Sequence, residues 1–338
     1  MHCAQGRCAC RPPGSHDALF PPVAERACNL LASHASHLRA MPVTCLAGPP
    51  PRPGIRHRGI AMLLRQVFAG VLSLFVAGAA QSADLLSTIK QKKEIVIGTE
   101  AQFAPFESVQ DGKIVGYGPD LMNLILAGLP EVKVKQLDVP FQGILPGLAT
   151  KRFDFIVTSV TLTKDRVSKF AFTVPIADAT TALVKRKDDT ALSDPAGIAG
   201  KVVGSQAGSA QLKALQDYAK KLQAEGKPPV TIREYVSFDE AYADLAAGRL
   251  SAVAQSLANL ASLVKTRSDV YAVLSTPIGP KTYFGWVGRK DADSARLVKF
   301  FSDGIAQAAK SGQLQALQTK WFGFTMDVPT DAVPVPEL

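Results

Sequence analysis

Beyond residue 57 the chain contains neither cysteine nor histidine. All five cysteines (Cys3, Cys8, Cys10, Cys28, Cys45) and all five histidines (His2, His16, His34, His37, His57) of the 338 residues fall in the first 57 positions. The remainder therefore has no cysteine nucleophile, no Ser-His-Asp triad, no zinc site with nitrogen or sulfur ligands and no disulfide. An excess of one charge is missing there as well. The formal net charge is +9, but eight arginines (Arg7, Arg11, Arg26, Arg39, Arg52, Arg56, Arg58, Arg65) and only two acids (Asp17, Glu25) lie in residues 1–83. Of 38 basic and 29 acidic residues, 30 and 27 remain over 84–338, a net charge of about +3. A nearly neutral body removes the electrostatic argument for a nucleic-acid partner. The hydrophobic run at 67–80 is too short and too rich in Gly and Ala for a membrane span.

That run has a different reading. Met62-Leu63-Leu64-Arg65-Gln66 precedes it and Ala79-Ala80-Gln81-Ser82-Ala83 closes it, the layout of a secretory signal peptide over 62–83, with cleavage expected between Ala80 and Ala83. Residues 1–61 are rich in Pro, Arg, Ala, His and Cys, show no helical or strand period, and are expected to be disordered as protein. Because a signal peptide acts at an N-terminus, translation is expected to start at Met62, leaving 1–61 as a mis-placed upstream extension. Cys8-Ala9-Cys10 lacks a second ligand pair at zinc spacing, so no metal is implied. No cysteine follows the run to carry a lipid anchor. The expected location is the periplasm of a Gram-negative cell.

From residue 84, short β-branched apolar runs alternate with helical stretches, the pattern of α/β layers. Strands are expected at 94–99, 132–138 and 153–157, with helices from 119 toward Gly128 and over 142–151. After Thr180 the pattern restarts. Strands at 182–187, 201–204, 230–235 and 251–254 alternate with helices at 209–225, 239–247 and 257–265. A strand at 281–288 and helices at 294–310 and 313–321 close the chain. Two α/β units of about 100 residues each, with the chain end returning to the first, suggest two lobes around a cleft. Turns at the carboxyl ends of parallel strands are where such folds hold ligands.

The densest polar signal runs from Phe153 to Arg166. A buried strand would deliver Thr158, Ser159 and Thr161 to a turn capped by Thr163 and followed by Arg166. Hydroxyls and free backbone N–H groups beside a guanidinium make an anion site. Taken alone, such a segment also reads as an ordinary helix cap with a solvated arginine.

Phe141-Gln142-Gly143-Ile144-Leu145-Pro146-Gly147-Leu148, Lys151-Arg152-Phe153-Asp154 and Thr161-Leu162-Thr163-Lys164-Asp165-Arg166 together resemble the extracellular solute-binding proteins of family 3. Phe103-Ala104-Pro105-Phe106-Glu107, Gly116-Tyr117-Gly118-Pro119-Asp120-Leu121, Gly248-Arg249-Leu250 and Lys320-Trp321-Phe322-Gly323 extend the likeness over roughly 84–326. It implies an α/β, two-lobe periplasmic-binding-protein (Venus flytrap, type II) fold, each lobe a sheet flanked by helices. Lobe 1 would take 84–180 and 284–338, and lobe 2 would take 181–283. It further implies a non-catalytic, monomeric receptor with no cofactor, which binds a small carboxylate-bearing solute, above all an amino acid, and delivers it to an ABC transporter permease.

The same resemblance implies roles for single residues. Arg166 would clamp the ligand carboxylate with Thr161 and the Ser159 backbone, met from the other lobe by Ser209 and the N–H of Ala210. Phe103 and Phe141 would wall the ligand side chain, although both also read as plain core residues. Ser256 stands where the family usually has the Asp that binds the α-ammonium. Either Glu100 takes that role, with Gln255, Asn259 and Asp178 as further candidates, or the ligand lacks an α-ammonium. Cyclohexadienyl dehydratases resemble these receptors too, and a buried Glu100 could serve such an enzyme as general acid.

Overall fold

The computed structural model describes residues 84–338. The expected upstream extension (1–61) and signal peptide (62–83) lie outside the described residues. The first helix, α1 (Leu85–Lys92), starts on Asp84, whose carboxylate accepts from the Ser87 N–H at 3.2 Å, and it ends on left-handed Lys93. Strand β1 (Glu94–Thr99) follows, with Ile95 and Ile97 fully buried. A small meander of β2 (Gln102–Phe103), β3 (Glu107–Gln110) and β4 (Lys113–Val115) comes next, turned by Asp111-Gly112 with both φ angles positive. The chain continues through α2 (Tyr117–Leu126), β5 (Lys133–Asp138), α3 (Phe141–Ala149), β6 (Phe155–Thr161), α4 (Lys164–Lys169), β7 (Phe170–Phe172) and β8 (Ala177–Asp178).

A second series has the same rhythm: β9 (Thr181–Arg186), β10 (Val202–Gln206), α5 (Ala210–Ala224), β11 (Thr231–Tyr235), α6 (Phe238–Ala246), β12 (Ala252–Ser256), α7 (Leu257–Thr266) and β13 (Tyr271–Leu274). The chain then returns through β14 (Tyr283–Arg289), α8 (Ala295–Lys310) and α9 (Gln313–Phe322).

The first sheet has the order β5-β1-β6-β14-β7, with β8 also on β14; the second has β11-β10-β12-β9-β13. In the first, β1 pairs parallel with β5 and β6, and β14 runs antiparallel. In the second, β10 pairs parallel with β11 and β12, and β9 runs antiparallel. The inner parallel strands β1, β6, β10 and β12 are mostly buried, whereas the edge strands β5 and β11 carry polar, largely exposed residues. In the first sheet Phe155 stacks on Phe301 of α8 at 4.4 Å between ring centroids, and the edge of that pair meets Trp286. The Phe153 ring is gripped between Gly98 and Gly147, where a Cβ would approach it to 2.7 Å. Burying such aromatic area is the main stabilising term, about 3–5 kcal/mol for each ring removed.

The periodic expectations match these elements to within a few residues. The meander, α1, β7, β8 and β13 were not anticipated: they are short, and most are too brief to display a period. Three strands run two or more residues past their expected ends, β6 to Thr161, β10 to Gln206 and β12 to Ser256. Each extension carries buried polar residues to a carboxyl end facing the other sheet's elements.

Candidate functional site

Thr163 caps α4 and accepts from the backbone N–H of Arg166 at 3.3 Å. The cap fixes the turn so that the Arg166 side chain folds back toward the strand. One guanidinium nitrogen donates to the Thr161 carbonyl at 3.0 Å, and the other donates to the Gly208 carbonyl at 2.9 Å. Gly208 belongs to the second series and sits at φ +74, a left-handed turn that presents this carbonyl. Arg166 is 8% exposed and lies over the Phe141 ring at 5.4 Å. Burial lowers its pKa to about 10, so it remains a cation at neutral pH. Among the described residues no carboxylate forms an ion pair with it. A buried guanidinium held only by neutral carbonyls is suited to a planar anion.

Around it lie the other hydroxyls. Thr161 Oγ1, at the end of β6, accepts from Gln211 Nε2 of α5 at 3.5 Å, a contact between elements of the two sheets. The Ser159 hydroxyl is buried and has no hydrogen-bond partner. Ser209 caps α5, accepting from the Leu212 N–H at 3.0 Å, and Ala210 is the first residue of that helix. These groups bring together the predicted set Arg166, Thr161, Ser159, Ser209 and Ala210.

Glu100 follows β1 directly and is 3% exposed. Its carboxylate accepts from Gln206 Nε2, which reaches across from the end of β10. Burial pushes its pKa up to about 8; the Gln206 hydrogen bond opposes this, and the Asp138 and Asp239 charges add to it. Behind it Glu107 is fully buried. Thr158 donates to one of its oxygens at 3.1 Å, and the other is unpartnered. Burial holds its pKa well above the usual carboxylate range, despite the Thr158 hydrogen bond, and the nearby Glu100 charge adds to the rise.

Phe103 packs against Phe106, Phe284 and Phe238, at 5.6, 5.8 and 5.8 Å, and so joins both lobes. Phe141 lies under the guanidinium and within the core of the first sheet. Ser256 is fully buried and its hydroxyl is used locally: it caps α7 and pairs with the Asn259 side chain. Asn259 Nδ2 then donates across the cleft to the Ala104 carbonyl at 3.0 Å. Gln255 is occupied by the Ser256 N–H and the Tyr242 hydroxyl, and Asp178 accepts from the Thr180 N–H in a turn. Gln206, Phe238 and the Gly208 carbonyl were missed by sequence reasoning. The signal for Gln206 was its place just beyond Val203-Gly204, at the end of a parallel strand.

The arrangement has counterparts. The model of the bacterial extracellular solute-binding proteins, family 3, matches residues 95–324. The chain belongs to that family. Among curated relatives, the L-cystine-binding protein TcyJ of Escherichia coli is 29% identical over 271 residues, covering 78% of this chain and 97% of the relative. The L-arginine-binding protein of Pseudomonas aeruginosa is 31% identical over 247 residues, covering 71% and 92%. A crystal structure of a mutant ArgBP from T. maritima has 28% identity and a TM-score of 0.62, covering 70% of this chain and 99% of that one. An ancestral amino acid-binding protein, described as a precursor of cyclohexadienyl dehydratase, has a TM-score of 0.62 at 24% identity and shares the fold. The fold is the two-lobe periplasmic-binding-protein fold, with each lobe a sheet flanked by helices.

Proposed function

We propose that this family-3 protein is the periplasmic receptor of an ABC importer and closes on an amino acid. Lobe 1 is formed by 84–180 with 284–338, lobe 2 by 181–283, and the ligand is captured between them. The observation that carries this reading is Arg166, a buried cation whose hydrogen bonds go only to carbonyls of Thr161 and Gly208 on opposite lobes. A ligand carboxylate accepts from that guanidinium, from the Thr161 and Ser159 hydroxyls and, on the other lobe, from the Ser209 hydroxyl and the Ala210 N–H, the Ser209 N–H being held by the Gln206 carbonyl at 3.2 Å. The α-ammonium falls to Glu100, because Ser256 is neutral and committed to its helix cap. Phe103 and Phe141 wall the side chain. The relatives, named as binding proteins for cystine and arginine, support an amino acid as the solute and a receptor as the role. The receptor acts as a monomer and hands its ligand to a membrane permease.

A second reading keeps the clamp and changes the ligand: a carboxylate without an ammonium, against a protonated Glu100, which an enzyme on this scaffold would use as general acid. A thermal-shift panel separates the two. It holds the standard amino acids, ornithine, citrulline, several keto acids and prephenate, each tested on protein stripped of carried-over ligand. A micromolar ligand at thousandfold excess stabilises by about 4 kcal/mol, a shift of several degrees. A response confined to amino acids is the expected result. A response only to acids lacking an ammonium, or phenylpyruvate formed from prephenate, overturns it.

A further inference from the structure

After α9 the chain has no regular structure, yet it does not leave the surface. From Met326 to Leu338 half-buried and exposed positions alternate for most of the length, with Val328, Pro334, Pro336 and Leu338 turned inward. Three prolines (Pro329, Pro334, Pro336) keep the segment extended. Its start is tied to α9, where the Met326 N–H donates to Gln318 Oε1 at 2.8 Å, and Val328 packs on a core that residues of both sheets share. Its end returns to the first lobe beside the clamp. The backbone N–H of Lys164, an orphan donor in the first turn of α4, donates to the Leu338 carbonyl at 2.9 Å. Lys164 Nζ donates to the Glu337 carbonyl, also at 2.9 Å.

Leu338 also faces the second lobe. It closes one side of a cavity of about 370 Å³ whose other walls are Ala214, Asp217, Tyr218 and Lys221 of α5 and residues 277–280, just before β14. The end of the chain is thus held by the helix that carries Arg166 and borders the helix that starts at Ser209 and Ala210. Those two helices must separate when the lobes open.

We propose that residues 326–338 form a strap that braces the two lobes in their closed arrangement. Anchored at Lys164 on one lobe, it reaches the cavity that α5 lines on the other and resists the separation of α4 and α5. The strap acts on the motion of the lobes and goes beyond the assignment of any ligand.

The test compares the full chain with one ending at Asp327, both free of ligand, by amide hydrogen exchange and small-angle scattering. Losing the strap should speed exchange about fivefold or more at the Lys164 amide, the effect of one hydrogen bond. It should also speed exchange along the first turns of α5 and raise the radius of gyration. Leu338→Asp, which keeps the carbonyl acceptors and charges the cavity wall, should move α5 and the radius in the same direction by less. Faster exchange at Lys164 alone with an unchanged radius overturns the brace and leaves only a helix cap. No change in either variant overturns it as well. Because no ligand is present, failure here is distinct from failure of the amino-acid reading.

Discussion

The two lobes share one plan: a central parallel pair, a third parallel strand on one side, and an antiparallel strand and its neighbour on the other. Their cleft-facing ends differ in chemistry. The first lobe places two buried ionisable groups there, Glu100 after β1 and Arg166 after β6. The second answers with neutral groups at the ends of β10 and β12: Gln206, the Gly208 carbonyl, and the Ser256–Asn259 pair. On the proposed reading the first lobe selects a ligand by charge, while the second supplies neutral groups whose hydrogen bonds link the two sheets' elements. On that reading closure rests on a few hydrogen bonds, about 1 kcal/mol for the neutral Asn259–Ala104 link and about 1.5–3 kcal/mol where an ionised Arg166 or Glu100 takes part, few enough for a receptor that must release its cargo.

The largest break in this asymmetry is Arg166→Ala. Removing one partner of a buried charge pair costs about 2–5 kcal/mol, so affinity for the amino acid should fall at least tenfold by calorimetry. An affinity within a factor of two of the parent would remove the clamp from the account.

Glu100→Gln tests the other charge. A hydrogen bond to a charged group is worth about 1.5–3 kcal/mol, so the affinity for an ammonium-bearing ligand should drop about ten- to hundredfold, and that for its deaminated analogue much less. The proton count is a sharper measure. In the closed form the Glu100 pKa is raised to about 8, chiefly by burial, with Asp138, Asp239 and Glu107 nearby. A raised acid stabilises the closed, ligand-free form fully below its unfolded value near 4.5, and this contribution is lost as pH rises through about 8. Glu107 acts in the same direction. A bound ammonium keeps Glu100 ionised, whereas a ligand without one leaves it protonated. At pH 7 the two ligand classes should therefore differ by close to one proton per binding event, read from calorimetric heats in buffers of different ionisation enthalpy. Glu100→Gln should erase that difference.

The smallest effects belong to the second lobe. Asn259→Ala removes the link to the Ala104 carbonyl and should weaken binding about fivefold, mainly through faster dissociation. Gln206→Ala should act similarly on dissociation, while also freeing the Glu100 carboxylate from its partner. If either variant slowed association instead, the second lobe would be part of the initial capture surface.

Much of this was legible in the sequence because the relevant signals are local. The Thr163 cap and Arg166 lie three residues apart, so one motif carries both the turn and the charge. Helix α5 with its Ser209 cap could be read from the run that follows Gly208. Ser256 was legible only as a departure, because the hydroxyl that could meet a ligand is the same one that caps a helix, and spacing does not say which use wins. Gln206 and Phe238 escaped for another reason: their roles exist only across the cleft, between segments whose register no local pattern encodes. The strap was silent in sequence because an extended, proline-bearing tail has neither a helical nor a strand period.

The most direct test of the charge-selecting first lobe is a paired thermal-shift panel on the parent and Arg166→Ala proteins, with the same amino acids and keto acids. The expected result is that an amino acid raises the parent's melting temperature by several degrees and the variant's by clearly less, since a tenfold or greater loss of affinity removes at least about 1.4 kcal/mol of the stabilisation. Equal shifts in both proteins would contradict it.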